Sequence, residues 1–227
     1  MRFLAVLLAV ALASCRSAPE PLRVAAAADL SRALPEIGEL FAQRTGQRVT
    51  FSFGSSGLLS RQIKEGAPFA LFAAASPEYA RGIGCRDERV FARGALAIVP
   101  KLTLAELASR SKIAIANPEH APYGAAARSA LEKAGLLPTF APKLVFGDNV
   151  QHALQLYRTG SVDAAIVARA LVVDQPHGEV DAALYLPLTQ VLVVCREQPF
   201  AQDFATFLVS AEASAVLLRH GFLPVLP

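Results

Sequence analysis

The stretch Phe51-Ser52-Phe53-Gly54-Ser55-Ser56-Gly57-Leu58-Leu59-Ser60-Arg61-Gln62-Ile63 constrains the fold more than any other in the chain. An alternating apolar run stops at two glycines that bracket two serines, and a helical pattern begins at once. A strand that turns through Gly-Ser-Ser-Gly into a helix leaves orphan backbone N–H groups and hydroxyls at the helix N-terminus. The helix dipole adds to their attraction for an anion. The turn needs a strand before it and a helix after it, which points to an α/β fold. It reads as half of a clamp for a small oxyanion.

The same unit recurs along the chain. Leu22 to Ala28 is a continuous apolar run, the pattern of a strand buried on both faces. It leads through Asp29-Leu30-Ser31 to Leu34, Ile37, Leu40 and Phe41 on one helical face, ending at Gly46. Pro35 costs a hydrogen bond if that helix already starts at Leu30. Val49 to Phe53 is the next strand, and the helix over 57–65 is stopped by Gly66-Ala67-Pro68. Phe69 to Ala75 is a third strand, and Pro77 opens a short helix. Three strand–helix units in sequence predict a parallel sheet with helices on both faces.

A second set follows, with strands at 95–99, 112–116, 143–146, 162–167 and 191–195. Thr103 and Glu106 have the spacing of a capping box, and an alanine-rich helix over 125–134 closes at Gly135. Asp148 or Asn149 caps a helix carrying Val150, Ala153, Leu154 and Tyr157, and amphipathic helices over 200–208 and 211–220 finish the chain. No composition break separates the sets. Two intimately joined lobes are expected, lobe 1 from residues 22–90 plus 191–227 and lobe 2 from 91–190.

Composition narrows the partners. The 227 residues, 53% of them hydrophobic, are ample for a core. Net charge is only +3, and basic residues are scattered singly without aromatic interleaving, which excludes nucleic acid. Residues 1–14 read as a secretory signal: Met1-Arg2 is positive, and Phe3 to Ala11 is apolar but too short to span a bilayer. Leu12-Ala13-Ser14-Cys15 resembles the bacterial lipobox, in which the cysteine becomes the acylated first residue of the mature protein. The alternative is an ordinary cleavable signal with an incidental cysteine. A lipidated Cys15 would anchor the protein to a membrane face through a tether over 15–21, the membrane's only contact with it. Cys85 and Cys195 remain, an even number that permits a disulfide in an exported protein, with a buried free thiol as the alternative. His120, His152, His177 and His220 lack metal-ligand spacing, so neither a metal nor another cofactor is expected.

Four strand-to-helix junctions look alike: Ala28-Asp29, Ser55-Ser56, Tyr123-Gly124 and Asn149-Val150. In open α/β sheets, ligands bind beyond the carboxyl ends of the strands. Helix N-termini converging from two lobes could hold a small anion through charge-assisted bonds, each about twice as strong as a neutral one. Taken singly, each junction is equally an ordinary helix cap.

The run Val24-Ala25-Ala26-Ala27-Ala28-Asp29-Leu30, then Phe53-Gly54-Ser55-Ser56-Gly57 and Gly66-Ala67-Pro68-Phe69, resembles the periplasmic molybdate-binding proteins of ABC importers. That family's distinctive mid-chain motif is matched by Asn117-Pro118-Glu119-His120-Ala121-Pro122-Tyr123-Gly124. Pro142-Lys143-Leu144-Val145, Asn149-Val150 and His220-Gly221-Phe222 extend the match to nearly the whole chain after Leu22. The resemblance implies a two-lobed α/β periplasmic binding protein of type II, each lobe a mostly parallel sheet flanked by helices. It would close on molybdate or tungstate and deliver it to an ABC permease, without enzymatic activity; a monomer is expected. Carried over by position, the resemblance implies oxyanion contacts at Asp29 and Ser56 in lobe 1. In lobe 2 it implies the backbone N–H groups of Tyr123 and Val150. Cavity size and fixed donors would then exclude the smaller sulfate.

The chain departs from the family pattern in three places. Asp29 stands where many members have serine and others asparagine or aspartate. A carboxylate ~4 Å from a unit negative charge costs on the order of 4 kcal/mol at an effective dielectric of ~20. Asp29 is therefore expected to turn away, cap its own helix and offer a backbone N–H. Ala168 stands where some members supply a tyrosine hydroxyl, a space that Tyr123 is expected to fill. Ala70 and Ser76 replace aspartates usual in the family, a change expected to touch scaffold rather than ligand. The connections around 82–88 and 175–181 are shorter than expected for the family.

Two further readings compete. Gly54-Ser55-Ser56-Gly57-Leu58 is not a nucleophile elbow, because Leu58 takes the place of the last glycine, so a hydrolase is not expected. The same fold could instead hold sulfate, phosphate or a small organic acid, which Asp29 and Ala168 motivate, or the chain could be an envelope lipoprotein that binds nothing.

Overall fold

The computed structural model describes residues 20–225. The expected signal, Cys15 and most of the tether lie outside the described residues. The chain first forms β1 (Leu22–Ala27), α1 (Ala33–Thr45), β2 (Val49–Gly54), α2 (Ser56–Lys64), β3 (Leu71–Ala74), α3 (Pro77–Ala80) and β4 (Arg86–Gly94). It continues with β5 (Leu96–Val99), β6 (Ile113–Ala116), α4 (Pro122–Lys133), α5 (Leu137–Phe140), β7 (Leu144–Gly147), α6 (Val150–Arg158), β8 (Ala164–Ala168) and β9 (Gly178–Glu179). It closes with β10 (Leu188–Val194), α7 (Ala201–Leu208) and α8 (Ala211–Arg219).

The strands form two five-stranded sheets, ordered β2-β1-β3-β10-β4 and β7-β6-β8-β5-β9. Each has a parallel trio, β2-β1-β3 in one and β7-β6-β8 in the other. Each also has one strand antiparallel to its neighbours, β10 in the first and β5 in the second. Both odd strands are the ones that have just arrived from the other sheet. The parallel strands run toward the cleft between the lobes, whereas a strand entering from the cleft must run away from it. The strand–helix repeat could not reveal this, and it makes the sheets more mixed than expected. Sheet membership puts the crossings between Gly94 and Leu96 and between Glu179 and Leu188. Boundaries at 90/91 and 190/191 would cut through β4 and β10.

Local rules explain most elements. A 3-10 turn over Ala28–Ser31 precedes α1, so Pro35 falls in the first helical turn, where its missing N–H would be orphaned anyway. Leu34, Ile37 and Phe41 lie on one face of α1 and are buried. Phe41 meets Phe204 of α7 edge-to-face, ring centroids 5.2 Å apart, and thereby fixes α7 over the first sheet. Thr103 and Glu106 do form a reciprocal capping box, with Thr103 N to Glu106 Oε2 at 2.8 Å and Glu106 N to Thr103 Oγ1 at 3.3 Å. It starts only a 3-10 turn over Glu106–Ser109. Cys85 and Cys195 are joined by a disulfide, which decides between the two alternatives left open above.

Candidate binding site between the lobes

The carboxyl ends of β1 and β2 and the starts of α4 and α6 meet in the cleft. They line a cavity of about 10 Å³, close to the minimum that admits one water-sized group. Its lining includes Asp29, Ser55 and Ser56 from lobe 1, and Tyr123, Asn149 and Val150 from lobe 2. All four residues expected from the resemblance are brought to this one place.

Each arrives by a different local device. Ser55 is the N-cap of α2, in extended conformation, and accepts from Leu58 N at 3.4 Å. Ser56 therefore sits in the first turn and is fully buried, and its Oγ accepts the Ala75 N–H at 3.0 Å. That bond uses a lone pair and leaves the hydroxyl proton available to a ligand. On the facing lobe, Asn149 Oδ1 accepts from Gln151 N and His152 N, both at 3.0 Å, and so caps α6. The Val150 N–H is left over at the helix start. In α4 the Gly124 and Ala125 N–H groups turn back to Ala121 O, at 2.9 and 3.0 Å, and leave the Tyr123 N–H over in the same way.

Contacts between the lobes hold this arrangement shut. Gly57 N donates to His120 O at 2.9 Å, and Ser55 Oγ lies 2.9 Å from His120 Nδ1. A Cβ on Gly57 would stand 2.7 Å from His120 O, so the contact admits glycine alone. Arg32 makes a two-pronged ion pair with Asp174, both bonds at 2.9 Å. The Arg169 guanidinium, beyond β8, reaches Gly221 O at 2.9 and 2.7 Å.

Asp29 does not behave as expected. No side chain caps the Ala28–Ser31 turn. The carboxyl stays in the cavity lining, 1% exposed, and its Oδ2 accepts from Gln190 Nε2 at 2.8 Å. Oδ1 has no partner, and neither have the Tyr123 hydroxyl or Gln190 Oε1. The Tyr123 hydroxyl lies close enough to Asp29 to favour its charged form, although the two do not complete a well-aligned hydrogen bond with each other. It presses on Gly94, where an added Cβ would fall 2.0 Å from the hydroxyl oxygen. Burial raises the Asp29 pKa to about 7, against the weaker opposing influence of Tyr123, Gln190 and the amides of Asp29 and Leu30. Burial, followed by the nearby Asp29 charge, also holds Tyr123 well above the usual phenol range.

Sequence reasoning missed Gln190 as a site neighbour. Gln190 had a signal: it is the one amide in the apolar strand β10, and it is fully buried. A larger cavity of about 540 Å³ lies beside the crossing connections and is lined by Arg93, Arg169, Glu179 and Tyr185 among others. It contains none of the four expected residues. Its two arginines are already engaged, by Pro224 O and Gly221 O.

Comparison with known proteins bears on the same region. The family model for bacterial extracellular solute-binding proteins matches residues 22–223. The molybdate-binding protein ModA of Rhodobacter capsulatus is 32% identical over 218 residues, spanning 88% of this chain and 86% of its own. The molybdate-binding protein ModA of Azotobacter vinelandii is 31% identical over 242 residues, spanning 96% of each. Among solved structures, the periplasmic molybdate-binding protein of Azotobacter vinelandii matches with a TM-score of 0.84 at 26% identity, over 91% of this chain and 99% of that one.

Proposed function

The chain belongs to the bacterial extracellular solute-binding proteins, a family of binders rather than enzymes, and from that premise we propose that it captures molybdate or tungstate for an ABC importer. Asp29, Ser56, Tyr123 and Val150 hold the oxyanion, Ser56 through its hydroxyl and the two lobe-2 residues through their backbone N–H groups. One observation carries this reading. Unused donors from both lobes, the Ser56 hydroxyl and the Tyr123 and Val150 amides, converge on one small cavity in the cleft. Helix N-termini and oriented hydroxyls suit a multiply charged anion, and no base or nucleophile is required. Relatives of about 30% identity carry the name molybdate-binding protein, which favours this anion over the others. The protein works as a monomer outside the cytoplasm, tethered to a membrane through acylated Cys15, and releases its cargo to the permease.

Calorimetric titration with molybdate, tungstate, sulfate and phosphate tests the proposal. Molybdate and tungstate should bind tightly and alike, with sulfate much weaker. A ligand at a thousand times its dissociation constant should also stabilise the fold by about 4 kcal/mol in thermal unfolding. Tight binding of phosphate or sulfate with no heat from molybdate would overturn the choice of ligand.

A further inference from the structure

We infer that the oxyanion is bound together with one proton, held between an anion oxygen and the Asp29 carboxyl. This rests on the oxyanion reading and deepens it. The observation is geometric. Asp29 lines the cavity, is shut off from solvent, and has one oxygen tied to Gln190 and the other without a partner. A second anion placed beside an ionised, desolvated carboxylate meets repulsion that nothing nearby relieves.

Among the described residues, no cation bonds to the Asp29 carboxyl. From α4 the group facing Asp29 is Tyr123, and from β10 it is the neutral Gln190. The turn after β8 brings Arg169, whose guanidinium donates to Gly221 O and whose charge acts on Tyr123 rather than on Asp29. α6 brings Arg158 at its C-terminal end and His152, which faces Asp148. α1 brings Glu36, paired with Arg219 and His220. Arg32, next to the turn, is held by Asp174. β1 contributes only the exposed Arg23, and β2 contributes no charged residue.

A protonated Asp29 removes the conflict and supplies an O–H donor where an ionised one supplies only acceptors. The proton enters from solvent with the anion and returns on release; no other bond changes. Burial already favours the neutral carboxyl in the empty site and brings the group to the edge of protonation at neutral pH. A bound dianion moves the balance further the same way. The sign follows. Below the free-site pKa the proton is already present and affinity is flat with pH. Above it, each anion captured must bring a proton, and affinity falls by about tenfold per pH unit until the pKa of the occupied site is passed.

Molybdate titration by calorimetry at pH 6, 7, 8 and 9, in Tris and in imidazole, tests this on the mature protein. The two buffers differ in ionisation heat, so the difference in apparent enthalpy counts protons. The expected result at pH 8 and above is uptake of about one proton per molybdate, with affinity falling at about tenfold per unit. Asp29→Asn should bind with no proton uptake and nearly constant affinity across that range. It should also melt higher than the parent at pH 8 but not at pH 5, because it removes a buried charge present only at the higher pH. Molybdate binding by the parent with no proton uptake would overturn the inference and leave the oxyanion reading intact, and this readout does not depend on the variant folding. An unchanged pH slope in Asp29→Asn would overturn it equally. Absence of molybdate binding at every pH would remove both readings together.

Discussion

In the proposed site the two walls of the cleft offer an anion different materials. The lobe-1 wall is made of side chains, the Ser56 hydroxyl and the Asp29 carboxyl. The lobe-2 wall is made of backbone, the N–H groups left over where α4 and α6 begin. A side-chain wall can be retuned by single substitutions and can carry a titrating group. A backbone wall is fixed by helix position and tolerates many residue types. Asp29, the acidic residue of the lining, lies on the retunable side.

The largest effect should come from the line where the walls meet. In Gly57→Ala the new methyl would fall against His120 O, so the lobes cannot shut and the lobe-2 donors stay out of reach. Molybdate affinity should drop by about a hundredfold or more. The ligand-free melting temperature should hold or rise slightly, since alanine is the better helix former. Affinity within a few-fold of the parent would show that closure does not depend on this contact.

Next come single donors, one per wall. Val150→Pro deletes an N–H at the first position of α6, where proline is tolerated. Asn149 before it is already extended, at φ −152° and ψ 177°, as a residue preceding proline must be. Affinity should fall by roughly ten- to a hundredfold, about 1.5–3 kcal/mol for a bond to a charged ligand, with little loss of stability. Ser56→Ala should cost a similar amount of affinity and lower the melting temperature as well, because it strands the buried Ala75 N–H. Equal stability losses in the two variants would erase the distinction between the walls.

The smallest effect belongs to Tyr123→Phe. The hydroxyl makes no hydrogen bond, and the residue's proposed contribution is its amide, so affinity at pH 7 should stay within about threefold. The hydroxyl does favour the ionised form of Asp29. Its removal should push that group above about 7 and move the onset of any alkaline loss of affinity to higher pH. A tenfold loss at pH 7 would place the hydroxyl, rather than the amide, in the site.

What the sequence disclosed follows the same division. Continuous apolar runs ending in Ser, Asn or Asp announced the parallel strands and their caps, because burial and capping leave residue-type signatures. The edge strand β4 left none. Arg86, Asp87 and Glu88 lie exposed on a strand whose one partner among the named strands is β10, where solvent imposes no apolar pattern. Strand direction was equally hidden, since the same apolar run serves a parallel or an antiparallel neighbour. Ser56 was readable as a donor. Tyr123 and Val150 were placed by resemblance, because a backbone N–H belongs to every residue type except proline. The orientation of Asp29 depended on Gln190, a partner 161 positions away that no local rule could supply.

The position of β10 between β3 and β4 has a consequence for how the molecule comes together. The second sheet draws on residues 96–179 without interruption, whereas the first needs a strand from 188–194 inserted between two made about a hundred residues earlier. As the chain emerges, lobe 2 can complete itself while lobe 1 still waits with β3 as an open edge, a state prone to pairing with other chains. Loop closure over such a span is also slow. The disulfide from Cys85, just ahead of β4, to Cys195, just behind β10, fastens the late strand once it has arrived. Lobe 1, which carries the retunable wall, is thus the last part of the protein to exist.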